Sequence, residues 1–162
     1  MDMELPKRKP NRLKNYDYSS DGAYFITICV TNMKCILGEI NVGATIGRPY
    51  EMRLSEIGKI VDEAINEIPK HYNAVFVDKY VVMPNHIHIL LRIDRDGRPM
   101  VAPTISRIVK QMKGYATKNV GHQIWQKLFH DHIIRDDKDY LKIAEYIDNN
   151  PYKWKEDCFY CE

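Results

Sequence analysis

The chain has 162 residues, 44% of them hydrophobic and 28% charged, with a formal net charge of +2. That length predicts one domain with a core of its own, and the composition excludes a disordered, collagenous or disulfide-rich class. No apolar run approaches a membrane span and the N-terminus has no signal-peptide core, so the expectation is a cytoplasmic protein with no membrane partner. Cys29, Cys35, Cys158 and Cys161 are too few at this length for a disulfide framework. The lone Cys158-Phe-Tyr-Cys161 lacks the second pair of a zinc ribbon.

Residues 1–20 read as a basic N-terminal arm, with Lys7, Arg8, Lys9, Arg12 and Lys14 against Asp2 and Glu4. Residues 21–162 read as a single domain. Tyr24 to Thr31 is β-branched and aromatic, which predicts a strand. Cys35 to Ile40 suits a short edge strand or hairpin return, and Gly43 to Pro49 a loop. Ser55 then caps a helix whose apolar stripe is Ile57, Ile60, Val61, Ala64, Ile65 and Ile68, with Pro69 as its stop. Ala74 to Met83 and His86 to Ile93 are two buried strands joined by a turn at Pro84-Asn85.

A loop leads to Thr104, which caps a second helix with the stripe Ile105, Ile108, Val109, Met112 and Ala116, ended by Gly121. Ile124 to Ile134 holds another strand. A last helix runs from about Asp137 to Asn149, ahead of Pro151. The order predicts an α+β fold: a ferredoxin-like, split βαβ antiparallel sheet with two helices on one face. The last helix is left to cover the other.

The strand beginning at His86 is unusual. Side chains alternate between the faces of a sheet, so His86, His88, Leu90 and Arg92 point one way and Ile87, Ile89 and Leu91 the other. Two imidazoles at i and i+2 can bind one ion, and burying them needs hydrogen-bond partners or a metal. On the last helix, Tyr146 and Asn150 stand one turn apart and could face that ion; Tyr115 and Asn119 share the spacing on the preceding helix. Spacing alone does not choose between the two pairs. Arg98, Arg107, Lys110, Lys113, Lys118 and Lys127 form an acid-free stretch suited to a polyanion. His130-Asp-His132 is a weaker second pair, because its central residue is charged.

Met83-Pro-Asn-His-Ile-His88, followed far downstream by Tyr146-Ile-Asp-Asn-Asn-Pro151, resembles the single-tyrosine HUH transposases of the insertion-sequence and REP-associated types. Arg12-Leu-Lys-Asn-Tyr-Asp-Tyr18, Gly22-Ala-Tyr-Phe-Ile-Thr27, Ile124-Trp-Gln126 and Asp131-His-Ile-Ile-Arg135 are similar to the REP-associated branch, so the resemblance spans nearly the whole chain. It implies that Tyr146 is the nucleophile and that His86, His88 and Asn150 hold Mg²⁺ or Mn²⁺, although insertion-sequence members commonly carry Gln where this chain has Asn150. It further implies cleavage and transfer of single-stranded or hairpin DNA through a 5′-phosphotyrosine link, by a monomer or a homodimer. Arg12, Arg107, Lys110, Lys113, Lys118, His132 and Arg135 are the candidate DNA contacts. The alternative is a domesticated, catalytically idle protein that binds single-stranded DNA or RNA on the same fold.

Overall fold

The computed structural model describes residues 13–42, 50–98 and 103–161. The elements are β1 (Gly22–Cys29), β2 (Gly38–Val42), β3 (Tyr50–Leu54), α1 (Glu56–His71), β4 (Val75–Val82), β5 (His86–Ile93), α2 (Ile105–Val120), β6 (His130–Ile134) and α3 (Asp137–Asn149). A short 3₁₀ segment, Pro151–Glu156, follows α3. Four strands form one antiparallel sheet in the order β4-β5-β1-β6, which is the expected split βαβ arrangement.

Alternation sorts the sheet into two faces. Tyr24, Ile26 and Ile28 of β1 lie opposite Leu91, Ile89 and Ile87 of β5, and all are buried with the stripes of α1 and α2 in the main core. Phe25, Thr27 and Cys29 lie opposite Leu90, His88 and His86 on the other face. There Leu90 packs with Ile143, Ala144 and Ile147 of α3. The local signals that start the helices are in place. Ser55 Oγ accepts from Gly58 N at 3.0 Å, Thr104 Oγ1 from Arg107 N at 3.3 Å, and Asp136 Oδ1 from Asp139 N at 2.8 Å. Gly121 closes α2 with φ of +91°, a left-handed turn that favours glycine.

Four expectations need correction. Pro69 lies inside α1, which continues to His71; proline removes only its own N–H, and Lys70 and His71 keep theirs. Of the two alternatives for Cys35 to Ile40, the hairpin holds and the edge strand does not, with the strand shifted to Gly38–Val42. It pairs with β3, an unanticipated strand directly before the Ser55 cap, to make a separate two-stranded sheet. The strand expected over Ile124 to Ile134 is limited to its last five residues; Trp125 makes only a single bridge to Val30 and is 2% exposed, a core residue. Finally, a disulfide joins Cys35 to Cys161, which splits the Cys158-Cys161 pair and leaves Cys29 and Cys158 free.

Of the expected arm, residues 13–20 lie on the domain. Tyr16 and Tyr18 pack against the core, and the Tyr16 hydroxyl is 3.2 Å from that of Tyr24. The rest of the arm, with Arg12, and the loop 43–49, with Gly47-Arg-Pro49, lie outside the described residues. No helix among the described residues is long and apolar enough to cross a membrane.

Candidate metal centre and nucleophile

His86 and His88 project from β5 into the layer between the sheet and α3, and both are buried. The Pro84-Asn85 turn sets the first ring. Asn85 is fully buried, and its amide nitrogen donates to the carbonyls of Phe159 (2.7 Å) and Met33 (3.2 Å). Its Oδ1 therefore faces His86 Nδ1, at 2.8 Å. A carbonyl oxygen only accepts, so His86 carries its proton on Nδ1 and keeps a lone pair on Nε2.

Across the β1–β5 pair, Thr27 Oγ1 lies 2.8 Å from His88 Nδ1 and orients the second ring. The two Nε2 atoms come within 3.1 Å of each other. Burial pushes both imidazoles well below their ordinary pKa, His86 to about 4 and His88 to about 3, so both are neutral ligands-in-waiting at pH 7. Holding the outer nitrogen while aiming the inner one is the arrangement found around metal-bound histidines.

α3 presents Tyr146 and Asn150 to this pair. The Tyr146 hydroxyl is 3.5 Å from His88 Nε2, and its ring meets Phe25 and His88 edge-on at centroid distances of 6.0 and 5.3 Å. At 44% exposure the phenol touches both the site and solvent. Its pKa is raised above the usual 10, first by burial and then by the charges of Asp157 and Cys158. Asn150 ends α3 and is buried. Its Nδ2 donates to Asp157 Oδ2 at 3.1 Å, while its Oδ1 meets no hydrogen-bond partner. A buried carbonyl oxygen without a hydrogen-bond partner, beside two neutral imidazoles, is a donor set that fits a divalent cation of the Mg²⁺ or Mn²⁺ kind.

The rival pair lies elsewhere. Tyr115 donates to Glu63 Oε1 at 2.8 Å and Asn119 to the Tyr115 carbonyl, on the opposite side of the sheet from the histidines. Sequence reasoning missed Asp157, whose carboxylate sits 3.9 Å from His86 Nε2, together with the roles of Asn85 and Thr27. For Asp157 no local signal existed: it is one acid among nine in an acidic tail.

The candidate DNA contacts separate. Arg107, Lys110 and Lys118 are exposed on α2, across the sheet from the histidines. Lys113 is half-buried and donates to the carbonyls of Gln126 (2.9 Å) and Leu128 (3.3 Å), so it caps a loop instead. His132 and Arg135 do lie toward α3. His132 Nε2 is 2.7 Å from Asp139 Oδ2, however, and Arg135 lines a cleft of about 580 Å³ that also holds five aspartates, Asp21 and Asp78 among them. A basic feature that the sequence did not single out adjoins Tyr146. Lys142 and Lys153, neither of them paired among the described residues, flank Tyr146, Asn149 and Asn150 around a cleft of about 260 Å³ that one acid, Glu145, also lines, leaving it a net positive charge.

No family model matches the chain. A Haemophilus influenzae protein described as uncharacterized is 36% identical over 176 residues, covering 96% of this chain and 94% of its own. A second H. influenzae protein, provisionally described as a REP-associated tyrosine transposase, is 27% identical, covering 87% of this chain and 77% of its own. Among solved structures, a REP-associated tyrosine transposase bound to a REP hairpin superimposes with a TM-score of 0.64 at 24% identity, over 88% of this chain and 74% of that one.

Proposed function

We propose that this chain, which is similar in sequence and fold to REP-associated tyrosine transposases, cleaves single-stranded DNA and transfers the strand through Tyr146. The observation that carries the reading is the Tyr146 hydroxyl 3.5 Å from His88 Nε2, at the mouth of a buried histidine pair. His86 and His88, through their Nε2 atoms, and Asn150, through its Oδ1, would hold Mg²⁺ or Mn²⁺. The cation supplies electrostatic stabilisation to the scissile phosphate.

The chain's own residues do the rest. Asn85 and Thr27 hold the imidazoles in position. Tyr146 Oη attacks phosphorus as its proton passes to solvent, the P–O3′ bond breaks, and the departing O3′ takes a proton from solvent to become a free 3′ hydroxyl. The new bond is a 5′-phosphotyrosine ester, which keeps the bond energy for rejoining without ATP. Hairpin-forming ends are the substrate class proposed, in line with the hairpin carried by the solved relative.

A second reading has one observation in its favour. Trp154 and Phe159 lie against His86, which has no exposed surface, so a phosphate reaches it only when residues 151–161 move. That closure suits a binding protein with an idle site. Denaturing gels of a labelled hairpin oligonucleotide with Mn²⁺ decide. Wild type should form a covalent protein–DNA adduct, Tyr146→Phe and His86→Ala should form none, and Tyr115→Phe should form it normally. Tight hairpin binding by wild type with no adduct in any divalent metal overturns catalysis in favour of the second reading.

A further inference from the structure

We propose that Asp157, brought in by the segment after α3, is a ligand of the same cation as His86 and His88, so that ion and segment hold each other in place. The proposal rests on the metal reading above and adds a residue from a part of the chain that carries no recognisable motif.

Geometry comes first. One carboxylate oxygen of Asp157 and the two histidine Nε2 atoms all lie within 4.8 Å of one another. Metal–donor bonds of about 2.1 Å place neighbouring donors about 3.0–3.4 Å apart. The His86–His88 separation of 3.1 Å already falls in that range and the His86–Asp157 separation of 3.9 Å exceeds it by about 0.5 Å, so closing around an ion needs only a small movement of the carboxylate. Asn150 already bonds Asp157 Oδ2, and Phe159 N donates to Oδ1 at 2.8 Å, so the carboxylate is aimed rather than free to rotate.

Electrostatics agree. The Asp157 side chain is only 3% exposed, and no Lys or Arg among the described residues reaches it. A buried carboxylate with two neutral amide donors remains short of positive charge. A divalent cation at the histidines supplies it, and an oxygen ligand makes the site harder, favouring Mn²⁺ and Mg²⁺ over softer ions.

The segment is anchored on both sides of Asp157. Asn150 ends α3 before it. After it, the Phe159 carbonyl accepts from Asn85, and Cys161 is joined to Cys35. Asn85 thus holds His86 with one end of its amide and the segment with the other. Because binding free energies are reciprocal, an ion that Asp157 helps to hold must in turn hold residues 157–161 more firmly.

The test uses the full chain. Mn²⁺ is titrated calorimetrically into wild type, Asp157→Asn, Asp157→Glu and His86→Ala, and hydrogen exchange at residues 157–161 is followed with and without Mn²⁺. Asp157→Asn should bind Mn²⁺ at least tenfold more weakly, and Asp157→Glu should recover part of the loss. Mn²⁺ should slow exchange at 157–161 in wild type. Wild-type Mn²⁺ affinity in Asp157→Asn, with affinity lost in His86→Ala, removes Asp157 from the site and leaves the histidine reading intact. Unchanged exchange at 157–161 in Mn²⁺-loaded wild type overturns the proposal without recourse to any variant. Wild type that takes up no Mn²⁺ overturns both.

Discussion

At the scale of single residues, the cost of the site is carried by two buried imidazoles. In the unfolded chain each titrates near 6.5, whereas burial holds the folded groups at about 4 and about 3. Between those values the unfolded state binds more protons than the folded one. Stability is therefore complete above about pH 6.5 and declines as the pH falls toward 4, by up to about 1.4 kcal/mol per pH unit for each histidine. Urea unfolding midpoints measured at pH 7.5, 6.5 and 5.5 without metal should fall across that series, and His88→Gln should flatten the decline. An equal slope in His88→Gln would mean that other groups dominate acid sensitivity. Two features at this scale were readable in advance: that His86 and His88 share a face, and that a turn at Asn85 precedes them. That Asn85 selects the His86 tautomer was not, because it depends on the Phe159 and Met33 carbonyls, both distant in sequence.

At the scale of elements, helix starts and stripes were legible because a cap and a 3.6-residue period involve only near neighbours. A hairpin return near β2 was among the alternatives, but its partner β3 was not legible. β3 is five residues long and meets the Ser55 cap directly, leaving too short a window for the period of two to register. That hairpin and the loop before it constrain α1 at Gly58. A Cβ there would come within 1.9 Å of the Leu37 carbonyl oxygen and 3.3 Å of Leu54 Cβ. The carbonyl cannot turn aside without losing the bond it accepts from Ser55 N at 2.9 Å. Gly58→Ala should therefore destabilise the fold by about 2 kcal/mol or more, seen as a melting temperature lower by about 5 °C in circular dichroism. Gly114→Ala on α2 meets nothing within 4 Å and should instead stabilise by about 0.5–1 kcal/mol. Equal melting of the two variants would show that the backbone around Leu37 yields.

At the scale of the whole molecule, the sheet divides the charge. Arg107, Lys110 and Lys118 stand on the outer side of α2, a layer spacing and a helix diameter of about 10 Å each from the histidine face. That exceeds the Debye length of about 10 Å at 0.1 M salt, so a phosphate at Tyr146 is largely screened from them. Lys142 and Lys153 border the Tyr146 cleft itself. Fluorescence anisotropy of a single-stranded oligonucleotide across a salt series should show Lys142→Gln with Lys153→Gln binding about tenfold more weakly at 0.1 M, with the log–log slope reduced by about 1.4. Arg107→Gln with Lys110→Gln and Lys118→Gln should change slope and adduct yield little. A larger loss in the α2 variant would place the DNA on the far side and sink this assignment.

The sequence by itself determined the order of the main-sheet strands and the three helices, the split βαβ topology they imply, the shared face of His86 and His88, and the helix on which Tyr146 and Asn150 sit. Each of these follows from side-chain period, capping or turn chemistry acting over a few residues. Side-chain spacing left the two Tyr–Asn pairs open, and the family resemblance pointed to Tyr146 and Asn150; only the tertiary structure decided that Thr27 orients His88 from 61 residues away, that Asp157 closes on the pair, and that Lys113 is spent on a loop. Those contacts depend on strand register and on how α3 and the segment after it dock. Both are set by burial summed over the whole core, so no local window of the sequence contains them.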